Sequence, residues 1–407
     1  MAATEQALDR VIVVGSGWHF TSGISHYTFR LSSALAQQYP VGVLLMRRLV
    51  PTRLYPGRNH VGAPVANAVY PDDMPVYDGV DWYWGRSLSG ALEFIDREHP
   101  TVLVLQWWTG AVLHTYLRLA RHAARRGTRI IMEWHETQDV GEASLPAARQ
   151  YVRTLMPRLL SLVDAHVVHS QFDLNAISSS YSLGDAPVRV MPHGPYDHVM
   201  GPLHAPMASN GDRPFRILNF GVVRPFKGVE DLVAAFGTLT PEQADQFRLS
   251  VVGETWEGWM APSRAIADNP YRALIERVDR YVTDEELVEF IRGSDAVVLP
   301  YHRSSSSGPL HLAMSAGLPV VVSAVGGLVE AVEDYAGAIL VSPRDELGLR
   351  DALLKLLDRR DQRYEDPHSW QRTVDGYAAL IELLHDARRR GRQKIAVARA
   401  SGEADGS

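Results

Sequence analysis

Apolar residues along this chain come in two rhythms, and the rhythms alternate. Short runs rich in Val, Ile and Leu at 11–14, 41–46, 101–106, 129–134 and 165–169 lack polar alternation, as strands buried on both faces do, and 188–191 is one more short strand. Between them the spacing lengthens to a helical period; Ile24, Tyr27, Leu31 and Leu35 share one such face. A second series starts at 215–221 and continues at 247–253, 278–282, 295–300, 319–323 and 338–341. Here Val229, Leu232, Val233 and Phe236 fall at i, i+3, i+4 and i+7, and Leu287, Phe290 and Ile291 mark another helical face. Thr283 and Glu286 form a capping box in front of that second helix. Strand–helix alternation implies a parallel sheet with right-handed crossovers. Two such series in tandem predict an α/β protein with two Rossmann-like, doubly wound parallel-sheet domains facing across a cleft.

Where the rhythm stops, the composition changes. Residues 51–80 are rich in Pro, Gly, Asn and Asp and predict long loops with room for one short strand. The aromatic cluster Asp81-Trp82-Tyr83-Trp84-Gly85 suits either a core or a platform for a sugar or lipid. Residues 198–214 hold Gly, Pro, Asn and Asp without period and predict an interdomain linker. A helical pattern runs from about Trp370 to Arg390, and 400–407 lack the composition of an ordered segment.

Bulk composition narrows the function. The 407 residues are enough for two domains with full cores. The net charge of −6 gives no support to nucleic-acid binding. There is no cysteine, so disulfides, thiolate metal sites and a Cys nucleophile are excluded, and a reducing, cytoplasmic compartment fits. The start of the chain has no signal-peptide pattern, and 318–329 is too short and broken to span a bilayer. Arg388, Arg389, Arg390, Arg392 and Lys394 form a basic run, either a solvated helix end or a weak peripheral contact with anionic lipid at the inner face of the membrane.

Candidate chemistry gathers at strand ends. The strand closing at Gly221 feeds a loop carrying Arg224 and Lys227, and the loop feeds a helix N-terminus. Free N–H groups, the helix dipole, a guanidinium fork and an ammonium together suit a diphosphate. A strand–turn–helix with two solvated cations has the same pattern. Gly15 and Gly17 open a glycine loop through Trp18, His19, Phe20, Thr21 and Ser22 to Gly23; Phe20 occupies the third glycine position of a dinucleotide fingerprint, which argues against a dehydrogenase. His135 stands just beyond a strand end, where open α/β sheets place ligands. Ser304, Ser305, Ser306, Ser307 and Gly308 precede a helix with Pro309 in its first turn, so backbone N–H groups and hydroxyls there suit phosphate oxygens, or Ser307 is simply an N-cap.

The pattern G-x-x-R-x-x-K-G at Gly221–Gly228, followed by an amphipathic helix, resembles the start of the C-terminal domain in the GT4 family of retaining glycosyltransferases, which have the GT-B fold. The run AMSAGLPVV at 313–321 and Gly326-Gly327-x-x-Glu330 resemble that family's later signature. The resemblance implies a first, acceptor-side domain over 1–200, a donor-binding domain over 212–370, and a last helix, about 371–395, that packs back on the first domain. It implies transfer of a sugar from a nucleotide-diphosphate-sugar donor to a glycan, lipid or small-molecule acceptor with retention, and without a metal or cofactor. Catalytic roles fall to His135, Arg224 and Lys227. Donor contacts fall to Gly23, Gly221, Arg224, Lys227, Ser304, Ser306, Ser307 and Gly308. The family's two glutamates, with seven residues between them, align with Ser304 and Leu312, so both carboxylates are missing. Two alternatives stay open. One is a nucleotide-sugar-modifying enzyme such as an epimerase, with Glu133, Glu136 or Asp139 as acid/base groups; the other is a non-catalytic relative that binds carbohydrate or a partner.

Overall fold

A computed structural model describes residues 9–17, 23–48, 69–82, 84–137, 146–200, 213–255 and 258–402; side chains at 199, 200 and 388–402 fall outside this description. Among the described residues, thirteen strands form two sheets. The first contains β1 (Val11–Ser16), β2 (Val41–Arg48), β3 (Val76–Asp81), β4 (Val102–Trp107), β5 (Arg129–Trp134), β6 (Ala165–Val168) and β7 (Val188–Val190). The second contains β8 (Phe215–Phe220), β9 (Phe247–Val252), β10 (Ile275–Val278), β11 (Ala296–Leu299), β12 (Val320–Ser323) and β13 (Ala338–Val341).

Both sheets are parallel throughout, in the orders β3-β2-β1-β4-β5-β6-β7 and β10-β9-β8-β11-β12-β13. Each order reverses once, between β1 and β4 and between β8 and β11, and a reversal of this kind opens a crevice beyond the strand C-termini. The loops singled out above leave the sheets at these places. The central strands are closed to solvent on both faces, which is why they lack polar alternation.

Burial explains the one displaced strand. The expected strand at 278–282 is instead Ile275–Val278, because Ile275, 8% exposed, pairs with Leu249 while 279–282 lead into the capping box. That box forms as predicted, with Thr283 and Glu286 each bonding the other's backbone. The loop-rich stretch carries β3, and its residues 51–68 lie outside the description. Trp84 packs at the edge of the first core and donates to Thr115 Oγ1 at 3.0 Å, and Trp82 lies edge-on to His114; Tyr83 lies outside the described residues.

The last helix, Trp370–Gly402, lays Trp370, Val374, Tyr377, Leu380, Ile381 and Leu384 against the core formed by β1, β2 and the helix Gly23–Leu35. The chain thus crosses between the sheets twice, at about 191–213 and 360–370. Of the linker, 201–212 lie outside the description, as do the loop 18–22, Gln138, Asp139 and 403–407. Among the described residues no helix is long and apolar enough to cross a membrane.

Candidate functional site

The second sheet's reversal point supplies the cations. Gly221 leaves β8 at φ 104° and Gly228 ends the loop at φ 60°, both left-handed conformations that favour glycine. A side chain at Gly228 would also overlap the Pro300 carbonyl, so glycine lets this loop lie against the end of β11. Between them a 3-10 turn, Pro225–Lys227, carries Lys227 over β11. Its Nζ lies 3.7 Å from the ring centroid of Tyr301, a buried residue just past that strand. Burial, and then the like charge of Arg224, push Lys227 down to about 7, against the opposite pull of Glu136. Glu136 belongs to the loop after β5, so Lys227 senses a charge from the first half of the chain.

Ser307 caps the helix Gly308–Ser315 by accepting from Leu310 N at 3.3 Å, and its hydroxyl reaches the Tyr301 phenol oxygen at 3.4 Å. Ser304 donates to the Ser306 carbonyl at 2.8 Å, which curls the loop on itself. Ser305 donates to the His135 carbonyl at 3.4 Å, across the boundary between the sheets. Gly23 and Gly308 lie on either side of Tyr196, whose hydroxyl donates to the Gly23 carbonyl at 2.9 Å. The arrangement therefore brings Lys227, the serine loop, His135, Gly23 and Gly308 to one interdomain junction.

His135 sits where its strand-end position predicted, with its side chain only 2% exposed. Its Nδ1 is 3.2 Å from His169 Nε2, and its Nε2 faces Glu133 Oε2 at 3.7 Å with no hydrogen-bond partner. His169 Nδ1 faces the Met191 carbonyl at 3.0 Å, which can only accept. In neutral His169, Nε2 must then accept from His135 Nδ1–H. Both ring nitrogens of His135 thus turn toward protein groups, while its carbonyl meets the serine loop.

Glu133 is fully buried and accepts from Tyr27 OH at 2.8 Å and from Gln106 Nε2 at 3.1 Å. Burial alone would raise this carboxyl; the close approach of His135, helped by the His169 ring and the Tyr27 hydrogen bond, outweighs it and holds Glu133 at about 2. Burial, then the His135 charge, lower His169 to about 4. Glu133, His135 and His169 offer ligand atoms within 4.8 Å of one another, close enough to gather a divalent ion, although each already has the partners just named.

Sequence reasoning overlooked several members of this cluster. His193 stacks on His311 with centroids 4.4 Å apart, His169 lies 5.4 Å from His193, and His368 meets His311 edge-on. Burial leads the depression of His193 and His311, the latter to about 3, so the stack is neutral at pH 7. His169 had a readable signal, since it follows β6 just as His135 follows β5. Tyr27, Tyr196, Tyr301 and His311 had none beyond apolar periodicity. A cavity of about 180 Å³ opens beside the stack, between His169, His193, Ser305, Ser306, His311 and Glu330.

The two positions that the resemblance aligns with glutamates, Ser304 and Leu312, are both tied into the second domain. Leu312 is 9% exposed and packs in the second sheet's apolar core, and Ser304 is bonded to its own loop. Glu133, the buried carboxylate of the epimerase alternative, is enclosed by its hydrogen-bond donors, Glu136 is exposed, and Asp139 lies outside the described residues.

Residues 214–359 match the family described as "Glycosyl transferases group 1". A D-inositol 3-phosphate glycosyltransferase of Geodermatophilus obscurus is 32% identical over 190 residues, 43% of this chain and 42% of that protein. A glycogen synthase of Mycobacterium tuberculosis is 26% identical over 284 residues, 69% of this chain and 62% of that protein. The chain thus matches less than two thirds of the length of either relative. Among solved structures, a sucrose-phosphate synthase from Thermosynechococcus elongatus superposes with a TM-score of 0.62 at 17% identity, covering 96% of this chain and 100% of that one. Anabaena HepE, solved in complex with UDP, gives 0.61 at 12% identity, with 96% and 100% covered. The chain has the GT-B fold, and the residues of its second sheet are similar to the group 1 glycosyl transferases.

Proposed function

We propose that this protein transfers a sugar from a nucleoside-diphosphate sugar to a sugar, lipid-linked or small-molecule acceptor, with retention of configuration and without a metal. The observation that carries the reading is the position of Lys227, half-buried over Tyr301 and under the charge of Arg224 at the β8/β11 reversal, where the Tyr301 hydroxyl also meets Ser307, the N-cap of the helix Gly308–Ser315. Burying a cation costs free energy unless an anion meets it. A diphosphate placed there gains two cations and helix N–H groups, and its arrival relieves the strain on Lys227.

In the reaction the bond from the anomeric carbon to the diphosphate oxygen breaks, and a bond from the same carbon to the acceptor oxygen forms on the same face. The acceptor proton passes to the departing diphosphate. Arg224 and Lys227 offset the charge that builds on the leaving group, which is electrostatic catalysis. His135, fixed by Glu133 and His169, shapes the sugar's end of the site and holds the serine loop through its carbonyl. The solved neighbour with UDP supports a uridine donor as the first to test.

The test is turnover of UDP-glucose and other nucleotide sugars against an acceptor panel, with Arg224→Ala and Lys227→Ala alongside. Each variant should lose about 10²–10³ in kcat, roughly 3–4 kcal/mol. Wild-type turnover in both variants would end the assignment. Tight donor binding with neither transfer nor hydrolysis would favour a non-catalytic binder, and an epimerised donor would favour the modifying enzyme.

A further inference from the structure

Glu330 stands four residues past Gly326 in a motif that the proposed reaction leaves unused. Its carboxylate accepts from two backbone amides of the other half of the chain, Gln171 N at 2.6 Å and Phe172 N at 2.8 Å. These amides open the helix Gln171–Ser180, and the third, Asp173 N, is taken at 3.0 Å by the N-cap Ser170. A carboxylate on free helix N–H groups is a charge-assisted contact favoured by the helix dipole. Among the described residues, His26 to Asp284 at 3.5 Å and Ser305 to the His135 carbonyl at 3.4 Å are longer polar contacts between the halves.

The two glycines before Glu330 connect this grip to the serine loop. A side chain on Gly326 would overlap the Ser304 carbonyl, and one on Gly327 the Ser305 carbonyl. Gly327 N donates to the Ser304 carbonyl at 3.3 Å. The same two positions touch the first half: a Cβ on Gly327 would stand 3.0 Å from Ser170 Oγ, and one on Gly326 3.4 Å from the Phe172 ring. Serine loop, glycine pair and Glu330 therefore move as one piece, and Glu330 fastens that piece to the helix that follows β6. Apart from Tyr196, which packs among the second sheet's apolar residues, the two sheets have separate apolar cores.

We propose that Glu330 is a positioning residue, a clasp that holds the second domain closed on the first and so keeps the serine loop against His135. The proposal extends the transferase reading, but its readout needs no turnover. Because the chain has no cysteine, Arg121→Cys and Glu242→Cys, both at exposed positions in different halves, take a dye pair cleanly. In that background Glu330→Ala should lower the ratio of closed to open molecules about tenfold, seen as a loss of energy transfer. Glu330→Gln should lower it less, since an amide oxygen still accepts. Hydrogen exchange at Gln171 and Phe172 should rise by a similar factor, with Tm within a few degrees of wild type. Unchanged energy transfer in Glu330→Ala overturns the proposal even if those amides lose protection, because the contact would then be a local cap. If Glu330→Ala fails to fold, Glu330→Gln carries the same comparison. Arg224→Ala should lose turnover and keep its energy transfer, so failure of the transferase reading and failure of the clasp give different results.

Discussion

The proton on Lys227 reports whether an anion occupies the loop. In the free protein, burial on Tyr301 and the Arg224 charge bring its pKa down from 10.5 to about 7. At pH 8 such an amine is about nine-tenths neutral. A bound diphosphate sets fixed negative charge beside it and draws the pKa back toward the ordinary lysine range. Binding at pH 8 should therefore take up about 0.9 proton, falling to about half a proton at pH 7 and to about a tenth at pH 6. UDP has lost its own secondary phosphate proton by pH 8, so the uptake belongs to the protein. Affinity should fall about tenfold per pH unit above 7, roughly 1.4 kcal/mol per unit. The assay is calorimetric titration with UDP at pH 8 in two buffers of different ionisation enthalpy. Equal heats in both, or uptake persisting in Lys227→Met, would refute the reasoning. Stability should move the opposite way to the usual lysine case. The folded state holds fewer protons than the unfolded chain between about 7 and 10.5, so Lys227 costs most below pH 7 and nothing above 10.5. With the residue half-buried, the fall from 10.5 to about 7 sets an upper bound of roughly 5 kcal/mol on what Lys227→Met gains at neutral pH.

Two further substitutions probe the interior. Leu312→Glu should not restore a sugar-nucleotide carboxylate, because the side chain points into apolar packing; it should cost roughly 3–5 kcal/mol, read as a lowered Tm, and a stable variant with tighter UDP binding would contradict this. Glu133 has a depressed pKa, so its stabilisation is present above 4.5 and lost as pH falls through about 2. Glu133→Gln should cost roughly 3 kcal/mol at pH 7 in urea denaturation, with the difference narrowing below pH 4.5; a pH-independent difference would show that the charge is not what matters.

Much of the architecture was legible because burial on both faces leaves a mark on the chain itself. Runs such as 11–14 and 296–299 carry no polar alternation, so they had to be central or covered strands, and the helical spacing between them required crossovers. Glycine and the two cations of the β8 loop were legible for a related reason: a left-handed turn before a helix and an anion-binding end both restrict residue type locally. Strand β10 was misplaced by a few residues because Arg277 interrupts its apolar pattern, and only pairing with β9 decides the register.

The chain alone determined two doubly wound sheets and a basic loop at the switch point of the second. Only the tertiary structure decided that His135 turns both ring nitrogens to Glu133 and His169, that Tyr301 lies under Lys227, and that Glu330 grips a helix 158 and 159 positions away. The physical reason is that periodicity records which face of an element leaves water. It carries no record of which distant donor, ring or carbonyl that face will meet.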